Sequence, residues 1–188
     1  MKTASIIVRS ALAICFAFVM SSASCDLFDK VDDVTFEIEL SHTFNVDASD
    51  TDPKTYLNKQ VLDAAKVNSE FDKYKDKITA INVTSVTYKI SNVQTTGIIF
   101  TNGTVGYSAL TANTATSTQV ASIGVESIDV AKDKTTNLPF DQNALNEMST
   151  LLKNDKKVNV YFGGNLNKVP AEFDVYVVIK ASITADAL

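Results

Sequence analysis

From Val34 to Asp47 the chain alternates without a slip. Val34, Phe36, Ile38, Leu40, His42, Phe44 and Val46 fall on one phase, and Thr35, Glu37, Glu39, Ser41, Thr43, Asn45 and Asp47 on the other. A helix returns side chains to one face about every 3.6 residues, so a period of two held this long excludes one. The pattern predicts a single long strand with one buried and one wet face, as in an antiparallel sheet. His42 is the one polar residue on the apolar phase.

Later segments repeat the theme with interruptions. Ile81 and Val83 share one phase and Val86, Tyr88 and Ile90 the other, so a β-bulge is expected at Thr84-Ser85. Ile98 to Tyr107 is β-rich around Asn102-Gly103, which reads as a tight hairpin turn or a second bulge. Gln119 to Val130 slips between Val125 and Ile128. Val158, Val160 and Phe162 alternate up to Gly163-Gly164, read as a bulge or turn, and Phe173 to Ile183 forms the longest late run. Two helices are expected. One starts at Ser69-Glu70-Phe71-Asp72 and carries Phe71, Tyr74 and Ile78 on one side; the other is set by Leu145, Met148, Leu151 and Leu152. Tyr56 to Ala65 fits helix or strand, and Asp47 to Pro53 is a loop. With only 6 Gly and 3 Pro in 188 residues, these short strands predict an all-β, two-sheet antiparallel β-sandwich with two short helices. It occupies residues 34–188 as one domain.

The N-terminus has a different grammar. Lys2 and Arg9 precede the apolar run Ala11–Met20, then come Ser21-Ser22-Ala23-Ser24 and Cys25. Ten apolar residues suit a signal h-region and fall well short of the roughly 20 that cross a bilayer. No later segment reaches that length, which predicts a soluble domain beyond it. Ser22-Ala23-Ser24-Cys25 resembles a bacterial lipobox, with Ser22 where leucine is usual and Ser24 where glycine or alanine is usual. With Asp26, Asp29, Asp32 and Asp33 following, it is similar to surface lipoproteins of the Bacteroidota. The resemblance implies a signal peptide over 1–24, an acylated Cys25 on an acidic tether over 25–33, and an outer-membrane address facing outward. Cys15 leaves with the signal, so acylation also caps the sole mature thiol.

Cleavage removes two of the 17 basic residues and no acid, leaving 15 against 22 and a formal charge of −7. Arg9 is the only arginine. An acidic domain without the bidentate reader of phosphate is not a nucleic-acid or phosphoryl-transfer protein, nor is it drawn to anionic lipid by charge. The expected membrane partner is therefore engaged through the acyl chains on Cys25.

Catalytic constellations are scarce. His42 is the only histidine, so a triad or a His/Cys zinc site lacks its members, and His42 reads as a half-buried residue hydrogen-bonded at the sandwich edge. Glu37 and Glu39 share a face about 7 Å apart, a spacing also seen in glycosidases but expected of any wet strand. Asp47, Asp50 and Asp52 crowd one loop and are the weak candidates for Ca²⁺, without the turn glycine of an EF-hand. Tyr107, Tyr161 and Tyr176 are candidate exposed platforms for a glycan, although the chain has no tryptophan. Gly163-Gly164 lacks the Lys-Ser/Thr of a phosphate loop. The closing stretch, from Leu151-Leu152 through Val158–Phe162, Gly163, Pro170 and Phe173–Ile183, weakly resembles late-embryogenesis-abundant (water-stress) domains, which implies a β-sandwich without catalysis.

The expected function is therefore a non-catalytic envelope lipoprotein, without cofactor, that binds or braces envelope protein partners at the membrane surface. The alternatives are a carrier holding a lipid or other apolar ligand between its sheets, and a fimbrial-type assembly subunit. A filled inter-sheet space favours the first reading, and an apolar cavity of about 300 Å³ or more favours the carrier.

Overall fold

A computed structural model describes residues 33–187 of the chain. The expectations for the signal, Cys25 and most of the tether lie outside these residues. Eight strands are described: β1 (Asp33–Ala48), β2 (Thr55–Asp63), β3 (Ile78–Ser91), β4 (Ile99–Ser108), β5 (Val120–Ser127), β6 (Thr135–Asn137), β7 (Lys157–Leu166) and β8 (Ala171–Asp186). They form two four-stranded sheets, in the orders β1-β8-β3-β6 and β2-β7-β4-β5, with every pair antiparallel. The pairings β1–β8, β2–β7, β3–β6 and β4–β5 are those of one long hairpin rolled up on itself, which makes the sandwich a jelly roll.

The alternating segment is β1, paired to β8 residue for residue from Asp33↔Asp186 to Ala48↔Ala171. Its even side chains turn inward, with Ile38, Leu40, Phe44 and Val46 buried. The bulge expected at Thr84-Ser85 is present as a register shift of β3 against β8 between Val83 and Ser85. Asn102-Gly103 is the second bulge and not a hairpin turn: β4 continues through it, with Asn102 at φ 51 and the register shifting against β5 and β7.

Gly163-Gly164 is neither bulge nor turn but an unbroken part of β7, and the one extra residue lies opposite it in β4. The reason is packing. A Cβ on Gly164 would lie 2.3 Å from Cζ of Phe100, so the glycine admits that ring into the core. Phe100 stacks on Phe162 (centroids 5.2 Å, planes 12°) and meets Phe173 edge-on at 6.3 Å. Phe162 also touches Phe44 at 5.7 Å and Tyr56 at 5.8 Å. Phe44, Phe100, Phe162 and Phe173, from both sheets, are thus buried together between them, and the half-buried Tyr56 packs on this group from the edge strand β2.

Among the described residues there are four short α-helices, not two. The expected ones are α2 (Ser69–Tyr74) and α4 (Gln142–Asp155); α1 (Ala64–Val67) and α3 (Ile128–Ala131) were not foreseen. A single turn is too short to display a period. The slip expected between Val125 and Ile128 is where β5 ends and α3 begins, and Tyr56–Ala65 resolves as β2 running into α1. The cap of α2 is Asn68, whose side chain accepts from the Phe71 N–H, and not Ser69; Ile78 opens β3 instead of extending the helix. Helix α4 starts on Asp141, which accepts from the Ala144 N–H at 2.8 Å. Its apolar side, with Met148 and Leu152 buried, closes the flank of the sandwich beside β3.

Candidate functional site

The two sheets differ in what they turn outward. On β1 and β8 the outward phase carries Glu37, Glu39, Asp47, Glu172, Asp174 and Lys180. The outward phase of the second sheet has Leu57, Lys59 and Val61 on β2, Asn159, Tyr161, Gly163 and Asn165 on β7, Thr101, Thr104, Gly106 and Ser108 on β4, and Val120 and Ser122 on β5. Between its ends Lys59 is the one charge of that phase; at the end the ion pair Asp63–Lys157 closes it at 3.1 Å. Leu57 is 75 % exposed and Val61 52 %. A nearly uncharged face with exposed aliphatic side chains on an acidic domain is the surface feature most in need of a partner.

Part of this face is roofed by the segment between β4 and β5, which contains the 3-10 turn Ser117–Gln119. Asn159, 1 % exposed, holds the roof down. Its amide donates to the Ala109 carbonyl at 2.7 Å, to Ser108 Oγ at 3.3 Å and to the Ala112 carbonyl at 3.4 Å. The Tyr161 hydroxyl joins Ser108 Oγ at 2.9 Å. From the other side, the Tyr107 hydroxyl lies 2.8 Å from the Ala144 carbonyl and 3.1 Å from the Glu147 carboxylate. Glu147 in turn accepts from the Gln119 amide at 2.5 Å, and Gln119 Oε1 accepts from the Thr116 N–H. Burial first, then the Glu147 charge, push the Tyr107 phenol well above its ordinary pKa, so it stays a donor. These partners fix the roof, since buried polar groups lose about 1–3 kcal/mol when left unsatisfied.

Asn159→Ala is therefore expected to cost about 1–3 kcal/mol and to open residues 109–116 to proteolysis while the circular dichroism spectrum stays β-type. Limited digestion checks this, and an unchanged cleavage pattern would contradict the role.

Between roof and sheet lies a groove of about 160 Å³, lined by Leu57, Thr104, Gly106, Ala115, Val120 and Tyr161 with Asn113 and Thr114 at the rim. Its floor is low because Gly106 and Gly163 have no side chains. A Cβ at Gly163 would come within 3.0 Å of Leu57 Cδ1, and one at Gly106 within 3.2 Å of Val120 Cγ2. The lining offers aliphatic contact and a few neutral polar atoms, with no nucleophile–base pair. The size suits one branched aliphatic side chain.

The residues singled out in the sequence are dispersed. His42 lies half-buried on the inward phase, its ring edge-on to Phe44 at 4.8 Å; among the described residues no hydrogen bond holds it, and burial lowers its pKa. Glu37 and Glu39 both face solvent, and Glu39 is paired with Lys180 at 2.7 Å. Asp52 turns back on its own loop, accepting from Ser49 N–H and Oγ at 2.7 Å each, while Asp47 lies opposite Glu172. Among the described residues no three His, Cys, Asp or Glu side chains are grouped to hold a metal ion. The tyrosines do not form a platform. Tyr107 is 1 % exposed and faces inward, contrary to expectation, because the bulge at Asn102-Gly103 resets the phase of β4. Tyr161 does face outward but is roofed, and Tyr176, 37 % exposed, is on the other sheet. The groove itself escaped notice in the sequence, although Leu57 and Val61 share the phase of Lys59 and oppose Tyr56 and Leu62, which marks apolar residues on a wet face.

No protein-family model matches the chain, and no curated protein does. Among solved structures, the chain is similar to that of desmodium yellow mottle tymovirus, with 8 % identity over 81 % of this chain and 90 % of that one, at a TM-score of 0.40. Turnip yellow mosaic virus gives 11 % identity over 81 % and 93 %, TM-score 0.40. The decameric BFDV capsid protein gives 9 % over 80 % and 98 %, TM-score 0.40. Likeness at this level carries no inference about activity or partners.

Proposed function

We propose that this chain is a non-catalytic envelope lipoprotein, held to the outer membrane through Cys25, whose work is protein contact by the outward face of the second sheet. The observation that carries the reading is the roofed aliphatic groove on that face, beside the 75 % exposed Leu57. A roof fixed by buried hydrogen bonds is preorganised, which lowers the ordering cost of binding. The anchor rests on the signal-like segment ending at the sole mature cysteine. Cys25 to Asp33 spans at most about 30 Å, which keeps the domain near its membrane. The carrier reading is less favoured, because the buried rings of Phe44, Phe100, Phe162 and Phe173 occupy space between the sheets that a ligand would need.

Leu57→Asp is expected to abolish co-purification of the contact partner from detergent-extracted envelopes without shifting the thermal melt by more than a few degrees. Glu37→Lys, on the other sheet, is expected to leave it intact. Equal capture by wild type and Leu57→Asp would defeat the proposal.

A further inference from the structure

We infer that the partner docks as an added strand on the free edge of β2, through an extended segment that carries an acidic residue between two aliphatic ones on one face. The inference rests on the contact reading above, whose exposed Leu57 it shares, and gives that contact its form.

Hydrogen bonds at the two ends of β2 fix which way its backbone points. The Leu166 N–H donates to the Lys54 carbonyl at 2.7 Å, and the Ala64 N–H to the Lys156 carbonyl at 3.0 Å. Both pairs continue the register of β2 with β7, and bonded pairs alternate with unbonded ones along an antiparallel ladder. The even residues of β2 therefore bond to β7. Leu57, Lys59 and Val61 turn their N–H and C=O groups to the margin of the sheet, where β2 has no neighbouring strand.

The other margins are occupied, broken or acidic. On β3, β6 pairs with residues 87–89, the Leu138 N–H takes the Val86 carbonyl, and the Ser149 hydroxyl accepts from the Val83 N–H at 2.8 Å. Strand β5 shifts register against β4 and turns at Gly124, with φ 79. Strand β1 sets Glu37 and Glu39 on its wet phase, and its Asn45 carbonyl already accepts from the Tyr56 hydroxyl at 2.8 Å. Strand β2 has no proline, no glycine and no register shift against β7. Leu62 is its only buried residue. Even Gln60, on the inward phase, is exposed, so at that point neither face of the strand is covered. An edge this open is a template for pairing.

The side chains say what kind of strand fits. Leu57, Lys59 and Val61 share the outward phase, with Leu57 75 % and Val61 52 % exposed. Among the described residues Lys59 forms no ion pair. Directly opposite residues on paired strands stand about 5 Å apart, and opposite charges there stabilise while like charges destabilise. An aliphatic residue against Leu57, an acid against Lys59 and an aliphatic residue against Val61 complete the row. The same rule disfavours a second copy, because full antiparallel overlap of two β2 strands sets Lys59 against Lys59.

The test is binding of a synthetic strand to the full-length chain in detergent, read by fluorescence anisotropy. The probes are the labelled peptide Thr-Thr-Val-Thr-Glu-Thr-Val-Thr-Thr and the same peptide with lysine in place of glutamate. The glutamate peptide is expected to bind about fivefold to tenfold tighter than the lysine peptide, and Lys59→Glu to reverse that order. Val61→Pro keeps an apolar side chain and the ladder to β7 but removes one N–H from the margin, so it is expected to abolish binding. Thermal melts show whether the variants fold; if Val61→Pro does not, the exposed Lys59→Glu decides alone. No binding of the glutamate peptide at millimolar concentration would overturn the inference. So would an order that Lys59→Glu leaves unreversed, or wild-type affinity in a folded Val61→Pro. If the peptides fail while Leu57→Asp still loses an envelope partner, the added strand is excluded and the contact reading stands. If Leu57→Asp loses nothing, both fall.

Discussion

Cys25→Ser is expected to abolish labelling by a radioactive fatty acid and to shift the protein from the membrane fraction to the soluble one. The effect should be close to complete. A chain cleaved before Cys25 would carry 22 acids and no arginine, so charge would repel it from anionic head groups. Among the described residues no helix is long and apolar enough to cross a membrane. Acyl chains contribute about 0.8 kcal/mol per buried methylene, and stable anchoring takes two of them or one plus a basic patch. Without the thiol neither is available. Fractionation and labelling of wild type and variant side by side decide the matter; unchanged labelling would sink the lipoprotein assignment whatever happens to the groove.

The second large effect is in the core. Phe162→Ala is expected to destabilise the domain by about 3–5 kcal/mol, a large share of the roughly 5–15 kcal/mol that holds a domain together. Its ring contacts Phe44, Tyr56 and Phe100, so deletion leaves a cavity bounded by aromatic edges that cannot close on it. Gly164→Ala acts from the opposite direction. The added methyl meets the Phe100 ring, which is 2 % exposed and packed on both sides, and overpacking of this kind costs about 1–3 kcal/mol. Denaturant unfolding measures both. A loss under about 1 kcal/mol for Phe162→Ala would mean that the aromatic layer is not the centre of the fold.

What could be read in advance follows from which forces are local. The alternation of β1, the phase reversal at Thr84-Ser85 and the spacing of Leu145, Met148, Leu151 and Leu152 are properties of contiguous residues, and each appears in the fold as expected. Strand β7 was harder. The phase of Tyr161 points it to solvent, yet it and its neighbour on that phase, Asn159, are buried, because a roof contributed by residues 109–116 covers them. Gly163-Gly164 carries the signature of a turn and instead clears space for side chains from β2 and β4. The candidate site is assembled from residues more than 100 positions apart, such as Leu57 and Tyr161. No window along the chain contains it.

The pairing of β1 with β8 has a consequence for the order of events at synthesis. Asp33 finds its neighbour in Asp186, so the first of the described strands to emerge is the last to acquire its partner. Until residues 171–186 appear, a sixteen-residue amphipathic ribbon has no lawful place to lie. Such distant closure makes for slow folding, and a long unpaired strand is a template for wrong company. Glu37 and Glu39 acquire a use in that interval: they keep one side of the ribbon in water and discourage nascent copies from pairing with each other before the chain has rolled up.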